Sequence, residues 1–228
     1  MKPVLVRQHE ELTPPGLLAE WLRDRGMPYE VSHSWKGEKV EDVTKYSFVA
    51  SLGSPYGPND THEPAVVEEL DLIRASVEND VPVLGLCFGG EVLSAVLGGR
   101  VEVAPRPELG WRVIETDEPE TVPGGPWLEW HYERFTTPPG AEEIARTEDA
   151  VQAFRYGPHL GLQFHPESTV EIVGKWAGMD TERLTGLGIG DGMALLAVPG
   201  EQERAAKESA FRLFDAFAEG VAARRDAR

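Results

Sequence analysis

The chain has 228 residues, 41% hydrophobic and 27% charged, enough for one α/β domain with a full core. The formal net charge of −17 opposes binding to nucleic acid or to an anionic membrane surface. No apolar run is long enough to span a membrane, and the N-terminus lacks a signal peptide's long apolar region. We therefore expect a cytoplasmic protein without nucleic-acid or membrane partners.

Strand and helix patterns alternate through the first half of the chain. The predicted strands are 3–7, 28–32, 46–52 and 81–86, and the predicted helices are 14–25, 64–78 and 91–97. Thr13 is the expected N-cap of the first helix, and Gly26 the residue that ends it. Strands separated by helices at this spacing predict parallel βαβ units, whose sites lie beyond the carboxyl ends of the strands.

Shorter strand patterns follow residue 99. The predicted strands are 101–103, 111–116, 134–136, 151–155 and 160–164, read as antiparallel additions partly joined to the main sheet. Helices are expected at 170–177 and at about 205–222, whereas the glycine-rich stretch 178–200 is left unassigned. No linker divides the chain, so residues 1–228 are expected to form a single domain with the C-terminal helix packed on it.

The only cysteine, Cys87, lies within Gly85–Gly89 at the junction of a predicted strand and helix. This G-x-C-x-G sequence is the nucleophile-elbow pattern with sulfur in place of oxygen. The turn would lift Cys87 above the strand end, where a helix N-terminus stabilises a thiolate. A lone cysteine is more often a small buried hydrophobic residue, so a catalytic role requires a base.

His165-Pro166-Glu167 offers that base, directly after a predicted strand. Proline disfavours helix at the residue before it, so His165 is expected in extended chain. Residues two apart in extended chain point the same way, so His165 and Glu167 can share one side. Thiol, imidazole and carboxylate are the parts of an activated nucleophile with an oriented base.

Together, the G-x-C-x-G and F-H-P-E motifs resemble those of the class I glutamine amidotransferases with a Cys-His-Glu triad. The resemblance covers nearly the whole chain. It implies an α/β fold: a flavodoxin-like open sandwich with a mainly parallel central sheet, helices on both faces and a few added antiparallel strands. It also implies that Cys87 is the nucleophile, His165 the base and Glu167 the residue that orients the base.

The loop Gly53-Ser54-Pro55 is similar to the family's Gly-Gly-Pro oxyanion loop, with serine in place of the second glycine. By this resemblance, the backbone N–H groups of Ser54 and Phe88 would hold the tetrahedral oxyanion, with Gly53 beside the substrate. A backbone donor survives the change to serine where the local backbone angles suit it.

Two later segments also match the family. Glu108–Trp111 resembles an E-x-G-W stretch beside the glutamine pocket, and Trp130-His131-Tyr132 begins a segment similar to W-H-x-D-x-F. In relatives, backbone near this histidine helps to hold the α-amino acid end of the substrate. The alternative for His131 is a side chain packed beneath the site.

The other histidines, His9, His33, His62 and His159, have no such sequence context and are interpreted as surface or loop residues. No clustered set of His and Cys ligands indicates a metal site. The interpretation requires no cofactor.

Glu91 is a departure from the family pattern, which usually has glutamine four residues after the nucleophile. An ionised carboxylate there can only accept hydrogen bonds. It could bind the substrate's α-ammonium group, or it could interact only with the helix dipole. Its charge would oppose the Cys87 thiolate in either case.

The expected reaction is hydrolysis of the γ-amide of glutamine through a γ-glutamyl thioester. The chain has no P-loop, so a separate synthetase subunit would use the ammonia. The alternative is a γ-glutamyl peptidase or hydrolase acting on γ-glutamyl conjugates, and a non-catalytic binding subunit is a third interpretation. The sequence leaves the ammonia acceptor open.

Overall fold

The computed structural model describes residues 2–198 and 200–226. The strands are β1 (Val4–Gln8), β2 (Tyr29–His33), β3 (Val49–Ser51), β4 (Val83–Leu86), β5 (Val101–Arg112), β6 (Glu115–Thr116), β7 (Trp127–Phe135), β8 (Glu142–Arg146), β9 (Val151–Tyr156) and β10 (His159–Leu162). The helices are α1 (Gly16–Asp24), α2 (Pro64–Glu78), α3 (Phe88–Val96), α4 (Val170–Met179), α5 (Thr181–Gly186) and α6 (Gly200–Asp226). Short 3-10 helices cover Ser34–Lys36, Val43–Lys45 and Met193–Leu195.

The main sheet has eight strands in the order β2-β1-β3-β4-β10-β9-β8-β6. The first five strands in this order run parallel to one another. The last three extend the sheet with antiparallel pairing. Strands β5 and β7 form a separate antiparallel pair. These pairings confirm the predicted mainly parallel sheet with antiparallel additions.

Apolar side chains cover both faces of this sheet, as alternation along β1 illustrates. Val4 and Val6 belong to a core cluster that also contains residues of α1 and α6. Leu5, between them, belongs to the opposite cluster, with residues of α2 and α3. Successive side chains of a strand point to opposite faces, so helices lie on both sides of the sheet, as expected.

The first helix begins later than predicted, at Gly16 with Pro15 as its N-cap residue. Thr13 is not the cap, because its hydroxyl and its backbone N–H both donate to the carbonyl of Glu10. The local turn formed by these bonds delays the helix. The predicted end is correct, since Gly26 follows α1 with a positive φ of 62°.

Strand β8 was not predicted, because its sequence EEIAR lacks the apolar run typical of a buried strand. Only Ile144 and Ala145 in it are buried. Arg146 instead pairs with carboxylates, among them Glu143 and Asp117. One ion pair within the strand and one to the segment after β6 therefore accompany β8.

The C-terminal helix α6 is longer than the predicted 205–222, and it packs against α1 through Phe214 and Trp21. The Trp21 indole N–H also donates to Asp215 at 2.8 Å. Within the described ranges, no helix is both long and apolar enough to cross a membrane. A single domain over residues 1–228 stays a prediction.

Candidate active site

Cys87 occupies a strained turn between β4 and α3, with φ of 50° and ψ of −108°. A positive φ is costly for a residue other than glycine and is maintained only where surrounding structure enforces it. The Cys87 N–H donates to Leu162 O at 2.9 Å, which ties the turn to β10. These features match the elbow expected from the sequence.

Close packing explains the glycines around the turn. A Cβ on Gly85 would lie 2.4 Å from the carbonyl oxygen of Gly89. One on Gly89 would lie 2.2 Å from the carbonyl oxygen of Ser51. Helix α3 begins at Phe88, not at the predicted residue 91, because the glycines are already helical. The positive end of the helix dipole therefore lies directly at Cys87.

His165 and Glu167 come together just beyond β10. Nδ1 of His165 lies 2.8 Å from Oε1 of Glu167, and both side chains are buried. A carboxylate can only accept, so the ring donates from Nδ1 and its Nε2 carries the lone pair that a base needs. The edge-on ring of Trp176, at 4.7 Å between centroids, helps to fix the imidazole.

The two halves of the site meet because β4 and β10 are neighbours. Leu86 pairs with Leu162 in parallel register, so Cys87 and His165 both follow the carboxyl ends of adjacent strands. A cavity of about 300 Å³ has both residues in its lining. The motifs in the sequence predict that Cys87 and His165 lie together, and the pairing of β4 with β10 explains why they do.

The predicted oxyanion loop borders the same cavity, which Gly53, Ser54 and Pro55 help to line. A Cβ on Gly53 would lie 3.0 Å from Cε1 of His165, so glycine lets the loop approach the imidazole. The Ser54 hydroxyl accepts from the N–H of Tyr56 at 3.1 Å, which braces the turn. Trp130 and Tyr132 also line the cavity.

Burial raises the pKa of the Cys87 thiol well above its ordinary value, and the charges of Glu91 and Glu167 raise it further. A hydrogen bond from the Phe88 N–H opposes this shift. The sulfur is therefore a thiol near neutral pH before substrate binds. Nucleophilic attack would require transfer of its proton to a base.

Glu91 is buried and accepts a hydrogen bond from Nε2 of Gln163 at 3.0 Å. Burial raises its pKa from 4.5 to about 7, and the bond from Gln163 opposes that shift. Among the described residues that line the cavity with Cys87, Glu91 does not occur. The carboxylate thus has a protein partner at Oε1, and its contact with substrate stays a prediction.

His131 is packed beneath the site, the alternative that the sequence left open. Its Nδ1 donates to the carbonyl of Glu133 at 2.7 Å, and Nε2 lies 3.3 Å from Glu108 and 3.4 Å from Glu129. Burial alone would lower its pKa, but the two carboxylates raise it to about 10. A buried imidazolium between two acids holds β5 and β7 together, and its side chain is absent from the described cavity lining.

Two of the histidines interpreted as surface or loop residues are buried: His9, in the loop after β1, and His159, at the start of β10. Burial lowers the pKa of each to about 4. His9 contacts the hydroxyls of Ser34 and Ser51 at 3.0 and 3.3 Å. The sequence around His9 does not predict these contacts. His62 is exposed as predicted, and His33 lies at the end of β2.

Asp180 and Arg183 line the cavity within a stretch for which the sequence predicted no element. They lie at and just inside the start of α5. No motif marked them, and their polarity alone could not distinguish them from surface residues. Within the part of the chain that the structure describes, no three His, Cys, Asp or Glu side chains are arranged to hold a metal ion.

Comparison with known proteins agrees with this geometry. The family model described as glutamine amidotransferase class-I matches residues 17–175. The chain therefore belongs to the class-I glutamine amidotransferases and is an enzyme, which confirms the family predicted from the motifs.

Solved structures of glutamine amidotransferases share the fold over nearly the whole chain. One from Methylobacillus flagellatus is 27% identical, with a TM-score of 0.85 over 96% of this chain and 95% of that chain. One from Thermotoga maritima is 27% identical, with a TM-score of 0.84 over 95% of this chain and 98% of that chain.

Curated relatives include a subunit of glutamine-hydrolyzing GMP synthase from Ignicoccus hospitalis. It is 38% identical over 95 residues, which are 38% of this chain and 50% of that protein. A GMP synthase from Thermomicrobium roseum is 38% identical over 141 residues, 57% of this chain and 26% of that protein. The matched region thus spans about half of the first relative and about a quarter of the second.

Proposed function

We propose that the chain hydrolyses the γ-amide of glutamine through Cys87, His165 and Glu167, and releases ammonia for a separate synthetase partner. The observation that carries this proposal is the lining of one cavity by Cys87 and by a His165 whose ring is held by Glu167 at 2.8 Å. A nucleophile, a base and a residue that orients the base are the parts of a triad for acyl transfer to sulfur.

In the first half of the reaction, Nε2 of His165 takes the proton from the Cys87 thiol as the sulfur attacks the amide carbonyl. The backbone N–H groups of Ser54 and Phe88 hold the negative oxygen of the tetrahedral intermediate. The imidazolium then gives its proton to the departing nitrogen, so ammonia leaves and a γ-glutamyl thioester remains on Cys87. The Glu167 carboxylate stabilises the imidazolium throughout.

In the second half, His165 removes a proton from water, and the hydroxide adds to the thioester carbonyl. The carbon–sulfur bond breaks, glutamate leaves, and the proton returns to sulfur to restore the thiol. The raised pKa of Cys87 supports a mechanism in which the proton moves to His165 during attack, because a free thiolate is scarce at neutral pH.

A separate synthetase partner is supported by the names of relatives. The proteins from Ignicoccus hospitalis and Sulfolobus acidocaldarius are both named as subunits of GMP synthase. The second is 31% identical over 143 residues, which are 72% of that protein. We infer a partner of the synthetase type for this chain, which would receive its ammonia.

The test is to follow the release of ammonia and glutamate by the purified protein, with glutamine and with several γ-glutamyl dipeptides as substrates. We expect glutamine to be hydrolysed and Cys87→Ala to release neither product while its thermal unfolding stays cooperative. Preferred cleavage of γ-glutamyl dipeptides would replace glutamine as the substrate and favour the peptidase alternative. Undiminished hydrolysis by Cys87→Ala would refute the thiol mechanism.

A further inference from the structure

The cavity has a buried end and a charged mouth. Cys87 and His165 are buried, whereas Asp180 is half-buried and Arg183 is exposed. Glutamine has a matching polarity, with the amide at one end and a zwitterionic α-amino acid group at the other. When the amide carbonyl lies at the Cys87 sulfur, the zwitterion extends toward the mouth. Both charged residues lie beyond residues 17–175, the part that the family model matches.

Asp180 has an arrangement unusual for a residue that begins a helix. At this position, aspartate commonly accepts from the helix N–H groups, but among the described residues its side chain makes no capping bond to α5. Its Oδ2 instead accepts from the indole N–H of Trp130 at 3.3 Å and from the hydroxyl of Tyr132. Both donors line the cavity with Asp180, so they hold its carboxylate at the cavity wall. No hydrogen bond to Oδ1 is found among the described residues, which leaves this oxygen for a ligand.

Arg183 lies three residues further on, a spacing at which ion pairs commonly form along a helix. Within the described part of the chain, however, no carboxylate lies within ion-pair distance of its guanidinium, which is 4.1 Å from the centroid of the Tyr132 ring. The guanidinium also interacts with the Tyr132 hydroxyl, and the Glu133 carboxylate is near enough to interact with it electrostatically. Stacking on the ring fixes the plane of the guanidinium, and its five N–H donors outnumber these contacts, so donors remain for a carboxylate.

We propose that Asp180 and Arg183 select the α-amino acid group of the substrate, with Asp180 binding the α-ammonium and Arg183 binding the α-carboxylate. This inference rests on the proposed function and names the group that the cavity recognises. It gives the α-ammonium a partner other than Glu91, which is bonded to Gln163 and outside the described cavity lining.

Glu10 is the competing carboxylate, because it also lines the cavity. One of its oxygens accepts from the N–H of Glu11 at 2.8 Å. Asp180 is favoured because two cavity side chains hold it in place and because its neighbour Arg183 supplies the opposite charge. The two carboxylates can be separated by experiment.

The experiment measures ammonia release from three amides that differ only at the distant end. These are glutamine, glutaramate, which lacks the α-ammonium, and 4-aminobutanamide, which lacks the α-carboxylate. The variants are Asp180→Asn, which keeps an acceptor for Trp130 and Tyr132, and Arg183→Gln. Arg183→Lys tests rescue by a conserved charge, and Glu182→Gln is the control for an exposed carboxylate on the same helix.

We expect Asp180→Asn to lower kcat/KM for glutamine about tenfold or more, because the charge-assisted hydrogen bond to the α-ammonium is lost. The kcat/KM for glutaramate should stay nearly unchanged, because glutaramate has no α-ammonium. Arg183→Gln should lower kcat/KM for glutamine by a similar factor and spare 4-aminobutanamide. Arg183→Lys should restore much of the loss, and Glu182→Gln should match the unmodified protein for all three amides.

Equal losses for all three amides would overturn the inference, because they would indicate a structural role. Unchanged kinetics in both variants would overturn it as well, and so would an ammonium-specific loss in Glu10→Gln but not in Asp180→Asn. If the unmodified protein released no ammonia from glutamine and no glutamate from γ-glutamyl dipeptides, the proposed function itself would fail, and this inference with it.

Discussion

Replacing Glu91 with glutamine should stabilise the protein, and the gain should grow as the pH rises. Burial raises the pKa of Glu91 from 4.5 to about 7, so the folded protein holds this proton to a higher pH than the unfolded chain does. The associated stability is fully present below about pH 4.5 and is lost as the pH rises toward 7. At about 1.4 kcal/mol per pH unit, the shift corresponds to about 3 kcal/mol.

The helix dipole is the competing effect, because Glu91 lies in the first turn of α3. A carboxylate there typically gains about 0.3–1 kcal/mol, which is less than the cost of burying its charge. Glutamine cannot ionise, yet its amide oxygen can still accept the bond from Gln163. The burial cost therefore disappears in the variant while the hydrogen bond remains.

Urea unfolding at about pH 5 and about pH 8 measures the effect, because the carboxyl group titrates between these values in the native protein. The difference in unfolding free energy between Glu91→Gln and the unmodified protein should increase by about 2–3 kcal/mol across this interval. The exposed Glu78→Gln is the control and should show no such increase. A difference that is the same at both pH values would refute the reasoning.

Three further results are expected. Glu91→Gln should lower the pKa of Cys87, because the charge of Glu91 raises it. Iodoacetamide, which alkylates the only cysteine, should therefore react several-fold faster with the variant at about pH 8, and an unchanged rate would contradict this electrostatic effect. His165→Ala should reduce kcat by about 10²–10⁴-fold, and Glu167→Gln by less, because Glu167 orients the base and does not transfer the proton; equal losses in stopped assays would contradict this ranking. Gly89→Ala should lower the free energy of unfolding by about 1–3 kcal/mol or more, because its Cβ would overlap the carbonyl oxygen of Ser51; an unchanged Tm would show that the turn at Cys87 has room to relax.

Local chemistry made the elbow and the base predictable from sequence. Glycines beside Cys87 mark a turn that only small residues fit, and proline after His165 restricts its backbone. The parallel units followed from the alternation of strands and helices. Helix α2 was predicted with its observed bounds, 64–78, because Pro64 and the apolar spacing mark it clearly.

The parts that could not be predicted depend on long-range contacts. The sequence indicates only that Glu91 is an acidic residue near the start of a helix. Its contact with Gln163, 72 residues away, shows that its carboxyl group is buried. The sequence around His9 predicts only a surface or loop histidine. Its burial follows from the contacts that it makes with Ser34, after β2, and with Ser51, in β3. Asp180 lies in a glycine-rich stretch without periodicity, so its place in the cavity follows only from the fold.

The most direct test of the triad is to trap its covalent intermediate. The protein would be mixed with glutamine, quenched in acid within the first turnovers and analysed by intact mass and peptide mapping. The account predicts one added γ-glutamyl group, located on Cys87, and no such adduct in Cys87→Ala. Steady release of glutamate from a protein that never carries the adduct, with equal release by Cys87→Ala, would contradict the assignment of Cys87 as the nucleophile.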